Sequence, residues 1–142
     1  MEIKFKEFVI SDDKEKIQFD RVCQMLTSTY WAKERPASTI KKSIENSVCF
    51  GVYLGDIQIG FARCITDYAV IYRLEDVVID ENYRGKGLGK ALTKFITEHE
   101  TLSPLMGLLG TEDAQGLYAQ LGFKACGDIQ MYINSPTEPK QS

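Results

Sequence analysis

The stretch Val77-Val78-Ile79-Asp80-Glu81-Asn82-Tyr83-Arg84-Gly85-Lys86-Gly87-Leu88-Gly89-Lys90-Ala91-Leu92 constrains this chain more than any other part of it. A β-branched run of strand type comes first, then a polar turn, then alternating glycines. The residues that follow put Leu88, Ala91, Leu92, Phe95 and Ile96 on one helical face. Glycines let a backbone approach a ligand closely. The first N–H groups of the helix have no intrahelical partner and lie at the positive end of its dipole. A strand, a glycine loop and a helix N-terminus in that order make a place for a phosphate.

The rest of the chain reads as a mixed α/β protein. Its 142 residues suit one domain with one sizeable core. Ile3 to Ile10 reads as a first strand, and Ser11, Asp12 and Asp13 offer N-caps to a first helix carrying Ile17, Val22, Met25, Leu26 and Tyr30. A second helix starts at Pro36 and runs to about Asn46. Val48–Leu54 and Ile57–Ile65 form a hairpin around Gly55-Asp56, and a further strand covers Ala69–Ile79. Ser103-Pro104 breaks the helix that follows the glycine loop. Leu105–Leu109 is a short buried strand, and Ala114–Leu121 is a short helix capped by Gly122. A last strand is expected within Phe123–Ile133, and the polar, proline-containing tail at 135–142 reads as disordered.

Composition narrows the classes. A formal charge of -3 lacks the basic footprint of a nucleic-acid binder. It leans, weakly, toward a cationic substrate. No run approaches the 18 or so apolar residues of a membrane span, and Met1–Ile10 lacks a signal-peptide core, so a soluble cytoplasmic protein is expected. Cys23, Cys49, Cys64 and Cys126 are scattered and His99 is the single histidine, so neither a zinc site nor a disulfide framework is expected. His99 falls roughly 15–20 Å along the helix from the glycine loop, where a capping or surface role is expected.

The identity of the phosphate is narrowed by register. Aligning Gly89-Lys90 with a Walker A loop puts Arg84 at its first glycine and Ala91 at its magnesium hydroxyl. A dinucleotide fingerprint puts Lys90 or Leu92 at its third glycine. Arg84-Gly85-Lys86-Gly87-Leu88-Gly89, by contrast, resembles the R-x-x-G-x-G signature of the GNAT superfamily of N-acetyltransferases, and the flanking strand and helix resemble the rest of that motif. Leu108 to Phe123 resembles the family's next strand and helix, ending in Leu117-Tyr118-Ala119-Gln120-Leu121-Gly122-Phe123.

The resemblance implies one GNAT-type domain over residues 1–134, an α/β fold with a mixed, twisted sheet of six to seven strands and helices on both faces. It implies acetyl-CoA as cosubstrate, lodged where the 69–79 and 105–109 strands diverge, with no metal. The implied cofactor-binding residues are Val77, Val78, Ile79, Arg84, Gly85, Lys86, Gly87, Leu88, Gly89, Lys90, Asp113 and Tyr118. Tyr118 is the implied general acid for the departing thiolate; its place on a helical face also suits a core residue. Glu75 and Asp76 are the candidate bases, with Glu75 in phase with Val77 and Ile79 unless a bulge reverses the strand. Tyr30 and Trp31, beside Lys33, Glu34 and Arg35, suit either an acceptor pocket or a hinge between helices. The implied reaction is direct acetyl transfer to a primary amine. Its alternatives are acetylation of a protein or peptide and a catalytically silent CoA-binding sensor or interaction module. Homodimers occur in the family, and the acceptor is left open.

Overall fold

Antiparallel pairing runs from the start of the chain until the sheet's last strand, which pairs parallel. The computed structural model describes residues 1–135; 136–142, most of the expected disordered tail, lie outside the described residues. Two units are distinguished, Met1–Thr111 and the segment from Glu112 onward.

The first unit contains β1 (Glu2–Phe5), β2 (Phe8–Ser11), α1 (Phe19–Thr27), α2 (Ala37–Glu45), β3 (Val48–Leu54), β4 (Ile57–Thr66), β5 (Ile71–Ile79), α3 (Leu88–Thr97) and β6 (Met106–Leu108). The six strands lie side by side in chain order. Each neighbouring pair from β1 to β5 is antiparallel, and β5 pairs parallel with β6.

Helices cover both faces, and two adjacent residues prove it. Neighbours on a strand point to opposite faces. Cys49 sits in a core with Val22, Met25, Leu26, Ala32, Ile40, Phe61 and Val78, the layer under α1 and α2. Phe50 instead meets Phe95 of α3 edge-on at 6.1 Å. The expected mixed sheet with helices on both faces is the observed architecture.

The structure corrects several local expectations. The first strand is a hairpin: Phe5 pairs with Phe8, and Lys6 takes a left-handed φ of 53° between them. The pattern carried the sign, because apolar residues shift from odd positions (Ile3, Phe5) to even ones (Phe8, Ile10) across the turn. Asp13 caps a short 3-10 turn, Lys14–Lys16, and not the helix itself. The helix waits until Phe19, because Ile17 is extended and the Gln18 N–H donates to Gln58 Oε1 at 2.8 Å. Pro36 stands just before α2. β5 begins at Ile71, since Asp67 Oδ1 accepts the N–H groups of Ala69, Val70 and Ile71 in the preceding turn. Those three bonds hold the Asp67 carboxyl down to about 2.

α3 ends at Thr97, before Ser103-Pro104, and His99 is buried against Phe50 and Phe95, not on the surface. The Thr101 N–H donates to His99 Nδ1, so the ring proton sits on Nε2 and faces Asp12 Oδ2 at 2.8 Å.

The second unit holds α4 (Gln115–Ala119) and a 3-10 turn, Gly127–Ile129. Gly122, at φ 96°, ends α4: its N–H donates to Ala119 O, and the Phe123 N–H reaches back to Tyr118 O. The strand expected within Phe123–Ile133 is not formed. Gly127 takes a φ of 62° and turns the chain in the middle of that run.

Gly60 lies between β3 and β5. An added Cβ would stand 2.9 Å from both Val52 Cβ and Ile79 Cδ1. Gly60→Ala should therefore cost about 1–3 kcal/mol through overpacking, measured as a lower urea midpoint at unchanged m-value; an unchanged midpoint would show that the two strands can part without cost.

Candidate active site

The site begins with a change in strand pairing. The parallel β5–β6 ladder covers only Ile71–Arg73. From Leu74 to Ile79, β5 is laddered to β4 alone. A strand paired on one side presents a row of backbone donors and acceptors on the other. Val77, Val78 and Ile79 occupy this half-paired stretch, with Val78 anchored in the α1/α2 core.

A bulge sits at its start. Arg63 faces Glu75 and Phe61 faces Val78, so Ala62 alone spans Asp76 and Val77. Asp76 takes a left-handed φ of 55° there. An aspartate tolerates this better than most residues, at a cost of about 1–2 kcal/mol.

Beyond the strand, Asp80 receives the Asn82 N–H at 2.9 Å and pairs with Arg21 at 2.6 Å, which fixes the turn Glu81–Tyr83. Arg84 Nε donates to Ile79 O at 3.1 Å, folding the loop back on the strand. Gly85 and Gly87 have φ of 79° and 81°, values that bring successive amides toward one side. α3 then starts at Leu88, which is buried and anchors the helix, and no side chain caps its N-terminus. The orphan amides at the start of α3, the open space around Gly85 and Gly89, and exposed Lys86 and Lys90 fit an anionic phosphate group. The hairpin turn braces the loop from outside: Lys6 Nζ donates to Lys86 O at 2.9 Å, and Phe5 lies beside Gly87.

The other end of the half-paired stretch is charged. Asp76 Oδ2 accepts from Arg35 Nη1 and Arg63 Nε, each at 2.7 Å, and Oδ1 accepts from Trp31 Nε1 at 3.2 Å. Its side chain is 1% exposed. Burial acts most strongly and pushes this carboxyl up, yet the two guanidiniums together bring it below its usual range. Asp76 is therefore an ionised structural centre, poorly placed to accept a proton. Glu75, the sequence's candidate base, is ion-paired with Arg73. Tyr30 and Trp31 stack edge-on at 5.1 Å, both exposed, at the end of the segment that Asp76 ties down.

Asp113 and Tyr118 belong to the second unit. Tyr118 is buried and meets Phe123 edge-on at 5.9 Å. Burial, then the charge of Asp113, pushes its phenol up, so it carries its proton at neutral pH. Burial likewise pushes Cys49 to about 11 and Cys64 to about 12, which leaves both as unreactive thiols. Among the described residues, no group of three metal-ligating side chains occurs, and no helix is long and apolar enough to cross a membrane.

The sequence reading missed Arg63 and Lys6, and it weighed Asp76 as a base, a solvated charge or a partner for Arg73, not as the centre of an ion-pair cluster. The resemblance to the family left a bulge in this strand open, and the structure has one at Asp76. Which arginines it would collect from 13 and 41 positions away leaves no local trace.

Asp76→Asn should destabilise the protein by about 3–5 kcal/mol, because it strands two partly buried guanidiniums. Since the folded carboxyl is depressed, its stabilisation is complete above 3.8 and is lost as pH falls from there through the folded value. Acid-unfolding curves of the two proteins measure this; equal stability at pH 7 would remove the ion-pair centre from the account.

Residues 45–125 match the family described as acetyltransferase (GNAT) domain. A GNAT-family acetyltransferase structure from Xanthomonas campestris is 34% identical, with 91% of this chain and 94% of that one aligned at a TM-score of 0.85. An uncharacterised N-acetyltransferase of Prochlorococcus marinus is 38% identical over 78 residues, 51% of this chain and 43% of the relative's own length. Another, from Pyropia yezoensis, is 28% identical over 131 residues, 85% of this chain and 72% of the relative. The half-paired β5, the glycine loop and the uncapped α3 lie within the matched residues, and the chain belongs to the GNAT acetyltransferase family.

Proposed function

We propose that this protein moves the acetyl group of acetyl-CoA directly to a primary amine, within an acetyltransferase domain spanning residues 1–134. The observation that carries this reading is the sequence of features along one strand: an ion-paired bulge at Asp76, an open edge over Val77–Ile79, and an uncapped helix N-terminus after Gly87.

In this reading the amides of Gly85 to Lys90 hold the pyrophosphate, with Arg84, Lys86 and Lys90 adding positive charge. The open backbone of Val77, Val78 and Ile79 hydrogen-bonds the pantetheine amides, as an added strand would. This directs the thioester back toward the bulge. Acetyl-CoA supplies an activated acyl group there. The resemblance to the family also assigns Asp113 and Tyr118 to donor binding.

An ammonium has no free electron pair, so the acceptor must lose a proton to attack the thioester carbonyl. Glu75 takes that proton, directly or through water. The new C–N bond forms, the C–S bond breaks, Tyr118 gives its phenolic proton to the departing thiolate, and the second proton that the nitrogen must shed to become an amide returns to the tyrosinate, directly or through water. A phenol held protonated by burial suits this role.

Calorimetry with acetyl-CoA, against ATP and NAD controls, tests the donor site. Micromolar binding of acetyl-CoA alone, about -8 kcal/mol, is expected. Gly87→Glu should weaken it by about 100-fold or more, some 2.7 kcal/mol. Gly87→Ala is the control for backbone strain: its Cβ would lie 3.6 Å from Phe5, an ordinary contact. Equal affinity of the Glu variant and the unaltered protein would remove the loop from the site. For the chemistry, Tyr118→Phe should lower kcat by about 100-fold with acetyl-CoA affinity kept, and Glu75→Gln should abolish the acidic limb of the pH–rate profile. Full turnover in the first variant would leave Tyr118 a packing residue, and an unchanged profile in the second would exclude Glu75 as base.

A further inference from the structure

The Asp76 centre does not balance its charge. Two guanidiniums, charged at every accessible pH, share one carboxylate oxygen. The cluster therefore carries a net charge of about +1, counting each ionised group as one. Among the described residues of the first unit, the ion pairs bring no second carboxylate to it, and the neighbouring acid, Glu75, is held by Arg73. A surplus cation is costly in a desolvated place, and a counter-anion relieves the cost.

The surplus is accessible. The Arg35 side chain is 20% exposed and that of Arg63 is 12% exposed. Arg63 directs Nε at Asp76 and Nη1 at Ser47 Oγ, 3.3 Å away. Arg35 directs Nη1 at Asp76. A guanidinium has a planar fork of N–H donors suited to bidentate carboxylate binding, and Arg35 has the more open one. Asp76 also holds the Trp31 ring by its Nε1, so the exposed Tyr30–Trp31 pair forms a fixed aromatic wall beside the fork.

We infer that the acceptor is a small primary amine that also bears a carboxylate, an amino acid in the broad sense, and that Arg35 binds this carboxylate with the Tyr30–Trp31 wall beside it. The inference rests on the acetyl-transfer reading, because it takes the bulge as the end of the donor track at which the amine must arrive. Positive charge at that point does two things. It draws the carboxylate, and it makes the adjacent ammonium release its proton more readily. A polycationic amine would meet repulsion there, so the local field opposes the weak leaning toward cations that the overall charge of -3 suggests.

Matched pairs that differ only in the carboxylate test it: glycine against methylamine and phenylalanine against phenethylamine, with spermidine as the polycation. Each is titrated by calorimetry into the full chain after saturation with acetyl-CoA's product, CoA. The carboxylate-bearing member of each pair should bind about 10- to 100-fold more tightly. Arg35→Gln should bring the two members within about threefold of each other, and Arg35→Lys, which keeps the charge and loses the fork, should fall between. Pairs already equal in the unaltered protein, or spermidine bound most tightly, would overturn the inference and leave the donor site standing. Failure of CoA to bind in the first titration would instead overturn the donor site, and this inference with it. The comparison within the unaltered protein does not depend on any variant folding.

Discussion

β5 is hydrogen-bonded on both sides for its first three residues and on one side thereafter, and the candidate site is built on that asymmetry. Unpaired strand edges invite another strand, which is why proteins usually cover them. Here the open edge faces the space where β6 has ended. The bulge at Asp76 and the loop after Ile79 mark its two limits. In the proposed reading, a ligand with amides of its own takes the place of the missing strand.

The two limits are both electropositive, for different physical reasons. At the loop the charge comes from the backbone, through unpaired amides and the helix dipole, and is supplemented by exposed cations. At the bulge it comes from side chains, two guanidiniums gathered by one buried aspartate. The left-handed φ of Asp76 and the burial of its charge are both unfavourable taken singly. They persist because three donors, two from the 30–35 segment and one from β4, satisfy the carboxylate together, and strain so placed commonly marks a working site. The same contacts fix the segment from Tyr30 to Arg35, which no regular element would otherwise hold.

Much of the fold was legible because its signals are local. Gly55-Asp56 marked the β3–β4 hairpin, Gly122 marked the end of α4, and the Val77–Leu92 run marked strand, loop and helix in order. The errors also have local causes. The β1–β2 turn lacks a glycine, so only the slip in apolar phase betrays it. In the segment after Phe123, the Gly127 turn outweighs β-forming residues. His99 looked like a helix-end residue for the surface, but its partner Asp12 lies 87 positions away and the burial comes from Phe50 and Phe95.

The sequence by itself determined the family, the α/β class, the glycine loop and the strand that leads to it, because all of these depend on residues adjacent in the chain and on glycines whose conformations others do not share. Tertiary structure alone decided the fate of the acids. Glu75 and Asp76 are neighbours with the same chemistry, yet one pairs with Arg73 on its own strand and the other is buried beneath Arg35, Arg63 and Trp31. That difference comes from a one-residue bulge and from arginines delivered by distant parts of the chain, and the energy of a buried charge depends on such partners, which adjacency in sequence does not encode.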